Sequence, residues 1–179
     1  MSISVGGAIS SFKIPILMGV MVIFGFGIGY LINYTFFSDR SPVQPINFSH
    51  KIHVTDNNIQ CMHCHAYVDK TPSAGVPSVK KCMGCHKAIA TDKPEIIKLT
   101  EYWDKQEPIP WIKVHDVPDF VYFTHKRHIK AGIECQTCHG PIETMARVTR
   151  VSSLKMPWCV DCHTEKQVEN GRDCVTCHK

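Results

Sequence analysis

The sequence predicts a mostly irregular chain with short α-helices, preceded by one long N-terminal helix. Three observations support this fold class. The pattern Cys-x-x-Cys-His occurs five times, an uncharged run of 24 residues lies near the N-terminus, and the 179 residues include only 8 Phe and 3 Trp. So few large apolar residues, some of them inside the uncharged run, cannot form a large side-chain core.

The five Cys-x-x-Cys-His motifs are typical of covalent haem attachment, in which two thiols bond to the haem and the adjacent His binds its iron. Zinc knuckles and disulfides also use cysteine pairs, but a zinc site does not require His after every second Cys. We therefore predict five covalent haem c groups. Their attachment residues are all ten cysteines: Cys61, Cys64, Cys82, Cys85, Cys135, Cys138, Cys159, Cys162, Cys174 and Cys177. Their first iron ligands are His65, His86, His139, His163 and His178.

The haem groups should themselves form the core of the domain. Only 130 residues follow residue 49, and they serve five motifs. We therefore expect the chain to wrap around the haems, and folding to depend on their attachment.

The charge gives no support to a nucleic-acid-binding role. The formal net charge is +4, and residues 38–179 hold 19 basic and 16 acidic residues. Each oxidised haem c adds about one negative charge through its propionates, so the loaded domain should carry about −2. Nucleic-acid binding requires a strongly basic face.

Residues 14–37 are the predicted membrane anchor, because they contain no charged residue. A helix of this length spans about 36 Å, enough for a hydrocarbon layer of about 30 Å. The alternative is a cleaved signal peptide, but the run is longer than the usual apolar region of such peptides and no Ala-x-Ala-like site follows it. Gly25 and Gly29 form a Gly-x-x-x-Gly pair, which favours packing against other membrane helices.

The orientation follows from haem chemistry, because haem c is attached on the outer face of the bacterial inner membrane. Residues 1–13 are then a cytoplasmic tail, residues 38–49 a linker, and residues 50–179 a periplasmic haem domain. Lys13 on the inner side, with Asp39 and Arg40 cancelling on the outer side, agrees weakly with the positive-inside rule.

The haem domain contains an internal repeat. Residues 48–53 and 123–128 both read Phe-[Ser/Thr]-His-Lys-x-His, and each precedes a haem motif. One unit, about 48–90, carries haems 1 and 2, and the other, 121–179, carries haems 3 to 5. The connector 91–120 should contain a short helix, with Asp92 and Glu95 as a capping box.

Each iron needs a sixth ligand or stays open. Six further histidines exist, and His63 is poorly placed because it lies inside the first attachment loop. The other five equal the haems in number, and we predict them as sixth ligands: His50, His53, His115, His125 and His128.

Methionine is the competing ligand, because a thioether raises the haem potential. Met145 lies six residues after His139 and is the better candidate, whereas Met156, three residues before Cys159, is expected to pack. If Met145 is a ligand, His115 is the histidine that it replaces.

The repeated His-x-x-His and Cys-x-x-Cys-His scheme resembles class III multihaem cytochromes. An anchor followed by five such motifs resembles the pentahaem cytochrome subunit of alternative complex III, as do the segments Trp111–Asp116, Phe120–His125 and Leu154–Cys159. The resemblance implies a quinol-oxidising membrane complex in which this subunit sits beside an iron–sulfur subunit and integral quinol-binding subunits. It would pass electrons to a periplasmic carrier.

We therefore predict an electron-transfer subunit with no substrate chemistry and no catalytic residues of its own. Pentahaem nitrite reductases are much longer and commonly replace one motif His by Lys, unlike this chain. A stand-alone membrane quinol dehydrogenase that feeds a periplasmic reductase is the main alternative, although its first motif would follow the membrane more closely than Cys61 does. A haem-bearing assembly factor is a further alternative.

Overall fold

The structure is a computed structural model that describes residues 8–37 and 40–178. The chain divides into two compact units, Met1–Asp39 and Arg40–Lys179. Parts of the predicted cytoplasmic tail and linker, including Asp39, lie outside the described residues. Within those residues the chain forms helices, turns and irregular segments without a β-strand, in agreement with the predicted class.

The first unit contains one long helix, α1 (Ala8–Phe37), of 30 residues. It begins before the predicted anchor because Lys13 is a good helix former and does not end a helix. Residues Ile14–Ile32 have a mean hydropathy of 2.2, so this segment is long and apolar enough to cross a membrane. A signal sequence near an N-terminus would satisfy the same criterion.

The second unit is a series of short helices joined by irregular segments. Its α-helices are α2 (Cys61–Cys64), α3 (Val79–His86), α4 (Pro94–Asp104), α5 (His125–Lys130), α6 (Cys135–His139), α7 (Met156–Glu165) and α8 (Cys174–Cys177). A π-helical turn covers Ile52–Asp56 and a 3₁₀ turn covers Ile142–Thr144.

Few side chains of the described residues are buried. One small cluster, consisting of Ile46, Met83, Leu99 and Ile109, packs between α3 and α4. Val68 is buried elsewhere. This agrees with the expectation that the polypeptide alone has little core.

Helix α4 is the predicted helix of the connector, but the predicted capping box is wrong. The helix begins at Pro94, and Lys93 precedes it without a side-chain cap. Glu95 accepts hydrogen bonds from the backbone N–H of Asn47 at 2.6 Å and from Lys98 at 2.8 Å, so its carboxylate is not available to cap the helix. Proline itself starts the helix well, because its missing N–H is not needed there.

The segment after residue 39 is tied to the rest of the second unit. The N–H of Arg150 donates to the carbonyl of Arg40 at 2.8 Å, and the Ser41 hydroxyl donates to the carbonyl of Val148 at 3.1 Å. The side-chain amide of Gln44 forms two 2.9 Å hydrogen bonds with the backbone of Ile112.

Candidate haem-binding sites

Each Cys-x-x-Cys pair folds into a helical turn. The pairs form α2, α8 and the start of α6, and they lie within the longer helices α3 and α7. Residues three apart on a helix share a face, so the two thiols of each motif point the same way. In motif 1 the N–H of His65 donates to the carbonyl of Cys61 at 2.9 Å, and in motif 5 the N–H of His178 donates to that of Cys174 at 2.8 Å. The turn therefore brings both thiols and the imidazole together.

Four of the five motif histidines donate Nδ1–H to a backbone carbonyl. The distances are 2.7 Å from His65 to Gly75, 3.1 Å from His86 to Ile89, 2.8 Å from His163 to Gly171, and 3.0 Å from His178 to Phe120. A carbonyl only accepts, so the proton is held at Nδ1 and the lone pair of Nε2 is free. This is how proteins orient histidines that bind metals.

Three of the other histidines make the same kind of bond. His53 donates to the carbonyl of Ser49 at 2.8 Å and His128 to that of Thr124 at 2.9 Å, the equivalent bond in each repeat. His125 donates to the carbonyl of Pro72 at 2.8 Å.

These histidines pair with motif histidines at a characteristic spacing. Ring centroids are 6.0 Å apart for His53 and His86, 6.3 Å for His125 and His139, and 6.1 Å for His128 and His163. A metal–imidazole nitrogen bond is about 2.0–2.1 Å long, and the ring centroid lies about 1 Å beyond the nitrogen, so two imidazoles on opposite sides of one metal have centroids about 6 Å apart. The three spacings fit an iron with two histidine ligands.

His50 and His115 lie in a half-buried group with His65, His125 and His139. The ring of His115 is 4.3 Å from that of His139, edge to face. Nδ1 of His50 and Nε2 of His115 are buried and have no hydrogen-bond partner. A native protein rarely leaves a buried polar atom unsatisfied, so these two nitrogens fit a site that takes a ligand.

Burial favours the neutral form of three of these imidazoles, those of His50, His115 and His139. Burial, reinforced by neighbouring histidines, lowers the pKa of His50 to about 4, and it does the same for His139. Burial, with smaller effects from Arg150 and His125, also lowers the pKa of His115. Only the neutral imidazole offers a lone pair to a metal, so the site holds these rings in the form that binds iron.

Two further candidate ligands, His63 and Met145, have different surroundings. His63 is exposed, and no ring contact or side-chain hydrogen bond joins it to the histidines among the described residues. The carbonyl of Met145 accepts the N–H of Lys51 at 3.1 Å, and its sulfur accepts the N–H of Thr149 at 3.5 Å. Met145 therefore lies beside the segment that carries His50.

The first two motifs adjoin each other. The His53 ring lies 6.0 Å from that of His86 of motif 2. Three residues earlier, the pKa of His50 is lowered by burial and then by the charge of His65 of motif 1. Burial raises the pKa of the Cys64 thiol, and Cys85 of motif 2 adds to the effect.

Motif 1 also adjoins motif 3. Burial raises the pKa of the Cys135 thiol, and the nearby Cys61 of motif 1 adds to the effect. The Thr55 hydroxyl donates to the carbonyl of Glu143 at 2.6 Å, joining the turn before motif 1 to the turn after motif 3.

Motifs 3, 4 and 5 continue the series. Helix α5 carries both His125 and His128, which face motifs 3 and 4. Burial raises the pKa of Cys138, with Cys162 of motif 4 as the next contributor, and it raises the pKa of Cys159, with Cys177 of motif 5 as the next. Cysteines of motifs 1 and 2, 1 and 3, 3 and 4, and 4 and 5 are thus near enough to affect each other electrostatically, which gives the order 2, 1, 3, 4, 5.

Sequence analysis did not predict which backbone carbonyls accept the Nδ1 protons of the histidines. One of these acceptors, Gly171, does have a recognisable sequence signal. A Cβ there would lie 2.9 Å from Cβ of Val168 and 3.0 Å from Cβ of His163, so the residue must be small. A glycine eight residues after a motif histidine marks a close backbone approach.

Two comparisons with known proteins agree with this site. Residues 121–179 match the family model described as cytochrome c7 and related cytochrome c. The chain is 28% identical over 190 residues to the menaquinone reductase, multiheme cytochrome c subunit, of Nitratidesulfovibrio vulgaris strain Hildenborough, covering 92% of this chain and 89% of the relative. Residues 121–179, which carry motifs 3 to 5, are therefore similar to cytochromes c, and most of the chain is similar to a multihaem cytochrome c subunit.

Proposed function

We propose that this chain is a membrane-anchored pentahaem cytochrome c that relays electrons between a quinone-reactive membrane complex and a periplasmic carrier. The observation that carries the proposal is the set of three imidazole pairs, with ring centroids 6.0 to 6.3 Å apart, each containing the histidine of a Cys-x-x-Cys-His motif. When bound, haem c supplies reversible one-electron chemistry at its iron.

The protein would hold five haems through its ten cysteines and its motif histidines. His53, His125 and His128 would be sixth ligands at motifs 2, 3 and 4. His50, whose charge interacts with that of His65, would serve motif 1. His115 or Met145 is the remaining candidate in this scheme.

An electron-transfer role suits this arrangement because the folded chain itself holds the candidate ligand side chains in position. Hydrogen bonds from Nδ1 hold the rings, and burial keeps His50 and His139 neutral. Irons that keep both axial ligands change little in geometry between oxidation states. We therefore assign the chain no substrate chemistry of its own.

The partners would be the other subunits of a membrane oxidoreductase, namely an iron–sulfur subunit and integral quinol-binding subunits. Helix α1, with its apolar span Ile14–Ile32, supports a place in the bacterial inner membrane with a single crossing. The haem domain would then lie on the periplasmic side. An alternative complex III-like complex would use the chain to pass electrons from quinol to a periplasmic acceptor.

The opposite direction of electron flow is the second candidate, and the relative favours it. That protein is named as a subunit of a menaquinone reductase. In such a complex, a periplasmic donor would reduce the haem chain and the membrane subunits would reduce the quinone. The same histidine pairs would serve both directions, because the potentials of the donor and the acceptor set the direction of electron flow.

The test is redox exchange in the complex purified in mild detergent. If the proposal is correct, added menaquinol reduces the haems and an external carrier reoxidises them, whereas the isolated full-length chain is not reduced by menaquinol. The second candidate, electron flow toward the quinone, is supported if a reduced carrier rapidly reduces the haems, menaquinone is then reduced, and menaquinol does not reduce the haems. Oxidation of quinol by the isolated chain at the rate of the complex would establish the stand-alone quinol dehydrogenase and overturn the proposal.

A further inference from the structure

We propose that Phe48 and Phe123 are positioning residues, and that each ring holds the two histidines of its repeat in fixed planes. Each phenylalanine thereby sets the ligand orientation of two neighbouring haems together. The inference rests on the proposed function, in which these histidines are sixth ligands of haem irons. Phe is the first residue of the repeated segment Phe-[Ser/Thr]-His-Lys-x-His, and neither haem attachment nor iron binding gives it a role.

In the first repeat, the half-buried ring of Phe48 contacts both histidines. It lies edge to face with the ring of His50, with centroids 5.0 Å apart and planes at 88°. It is stacked on the ring of His53, with centroids 4.4 Å apart and planes at 24°. One aromatic ring therefore bounds both candidate ligands of this repeat.

The second repeat has the same arrangement. The ring of Phe123 lies edge to face with that of His125, at 4.8 Å and 86°, and lies over that of His128 at 4.7 Å and 31°. Edge-to-face and offset stacked contacts are the ones that aromatic rings prefer. Two segments distant in the sequence thus place one phenylalanine against two imidazoles in the same way.

The phenylalanine adds a restraint that the hydrogen bonds do not supply. His53 donates Nδ1–H to the carbonyl of Ser49 at 2.8 Å, and His128 donates to that of Thr124 at 2.9 Å. Such a bond fixes one edge of the ring but leaves its tilt loosely defined, because the torsion next to a histidine ring has broad minima. A phenylalanine against the face of the imidazole limits that tilt.

His50 depends most strongly on its phenylalanine. His125 donates Nδ1–H to the carbonyl of Pro72 at 2.8 Å, whereas Nδ1 of His50 is buried without a hydrogen-bond partner. Within residues 40–178, the ring contact of His50 is the one with Phe48. Loss of the Phe48 ring should therefore disturb its repeat more than loss of the Phe123 ring disturbs the second.

The two histidines of a repeat face different motifs, so one phenylalanine acts on two irons. The rings of His125 and His128 lie 6.3 and 6.1 Å from the motif histidines of motifs 3 and 4, respectively. In the first repeat, the ring of His53 lies 6.0 Å from the motif histidine of motif 2. The same register assigns His50 to motif 1, the motif that directly follows it.

The angle between the two ligand planes of an iron is the property that each phenylalanine would control. This angle is 71° at motif 2, but 6° at motif 3 and 26° at motif 4. In a ferric low-spin haem, crossed imidazole planes give an electron paramagnetic resonance signal with a large highest g value, whereas near-parallel planes give a rhombic signal with a smaller one. The surroundings of the ligands also adjust the haem potential. One spectrum can therefore distinguish the two repeats.

The test compares Phe48→Leu and Phe123→Leu with the matched control Tyr122→Leu in the purified holoprotein. The Tyr122 side chain is 59% exposed, so its loss should leave the haems unchanged. We expect haem content and spin state to match the unmodified protein in all three. Phe48→Leu should shift the signals and midpoint potentials of two haems, one of which has the large g value. Phe123→Leu should shift two rhombic signals. Phe48→Tyr and Phe123→Tyr, which keep the ring, should retain the unmodified spectrum.

An unchanged spectrum in either Leu variant, a shift confined to one haem, or an equal shift in Tyr122→Leu would overturn the proposal. If a Leu variant does not mature, methionine at the same position supplies a flexible apolar side chain without a ring and should give the same shifts. Loss of haem from the Met variant as well would show that the ring serves folding and not ligand orientation, which also overturns the proposal.

The unmodified protein separates this inference from the proposed function. Mass spectrometry counts its haems, and menaquinol or a reduced carrier tests its quinone-linked electron transfer. Five haems and normal electron transfer, with unchanged spectra in the Leu variants, remove only the positioning role. Missing haems or no quinone-linked electron transfer in the unmodified protein remove the proposed function.

Discussion

One hydrogen bond recurs at the histidines of both haem units. In seven histidines, Nδ1–H is donated to a backbone carbonyl, at distances of 2.7 to 3.1 Å. A backbone acceptor cannot be lost by substitution of its side chain, and it moves only if the chain moves. Ligand orientation in this protein is therefore a property of the backbone path.

Removal of a sixth ligand should open one iron without releasing its haem. We expect His53→Ala to retain all covalent haem, because both thiols and His86 are unchanged, and to convert one haem in five to a high-spin form that binds carbon monoxide. Electron paramagnetic resonance and carbon monoxide difference spectra measure this conversion. His63→Ala is the control, since His63 is exposed and should leave both spectra unchanged. A fully low-spin His53→Ala protein would show that His53 is not a ligand.

Gly171 should tolerate no side chain. A Cβ at this position would lie 2.9 Å from that of Val168 and 3.0 Å from that of His163, and the Gly171 carbonyl holds the His163 ring. We expect Gly171→Ala to cost about 1–3 kcal/mol of stability by overpacking and to shift the low-spin resonance of one haem. Gly84→Ala, in α3 with open space around its Cβ, should be neutral or slightly stabilising. Equal thermal stability of the two variants would contradict this account.

At the scale of elements, one cluster of buried side chains among the described residues joins α3 and α4, and it also includes Ile46 and Ile109. Leu99 is 4% exposed there and packs with Met83 of motif 2. The ammonium of Lys87 lies 4.5 Å from the centroid of the Trp103 ring, which adds a cation–π contact between the two helices. This cluster supports motif 2, at the end of the series opposite motif 5.

The cluster can be tested by large-to-small substitution. Leu99→Ala should destabilise the holoprotein by about 2–5 kcal/mol, because it removes buried methyl groups and leaves a cavity. Ile97→Ala on the same helix is the matched control, since Ile97 is 51% exposed and its loss should change stability by less than about 0.5 kcal/mol. Thermal unfolding followed by circular dichroism in detergent measures both. Similar losses in the two variants would mean that the cluster does not support the fold.

Helix α1 should contact other membrane helices through Gly25 and Gly29. A Cβ at either residue meets nothing within 4 Å in this chain, so the double substitution to Ile should leave α1 intact. We expect it to reduce co-purification of the membrane subunits without loss of haem, because small residues permit close helix approach. Gly27→Ile, on another face of α1, is the control. If the double variant associates as before, Gly25 and Gly29 do not mediate helix packing and only reflect the usual composition of membrane helices.

Local sequence spacing located the residues that the structure brings together. Both histidines of the segment 123–128, and the second histidine of the segment 48–53, have a ring near that of a motif histidine. Contacts between distant residues were not predictable, such as Pro72 with His125 or Phe120 with His178, because irregular segments have no periodicity. The capping box failed for a related reason, since Glu95 bonds to Asn47, which lies 48 residues away.

At the scale of the whole molecule, the two repeats join into one series of sites. The bond between Thr55 and Glu143 and the contact between Cys61 and Cys135 link the first repeat to the second. A haem-sized group at each motif would supply the core that the side chains lack. Loss of haem should therefore unfold the second unit, not leave a stable empty form.

The number of covalent haems tests the central claim most directly, because the core, the series of sites and the electron relay all depend on it. Intact-mass spectrometry of the denatured mature chain measures that number without reference to activity. The account predicts the mass of the polypeptide plus five haem groups. A mature chain that carries four or fewer, or that carries metal released by denaturation, would contradict it.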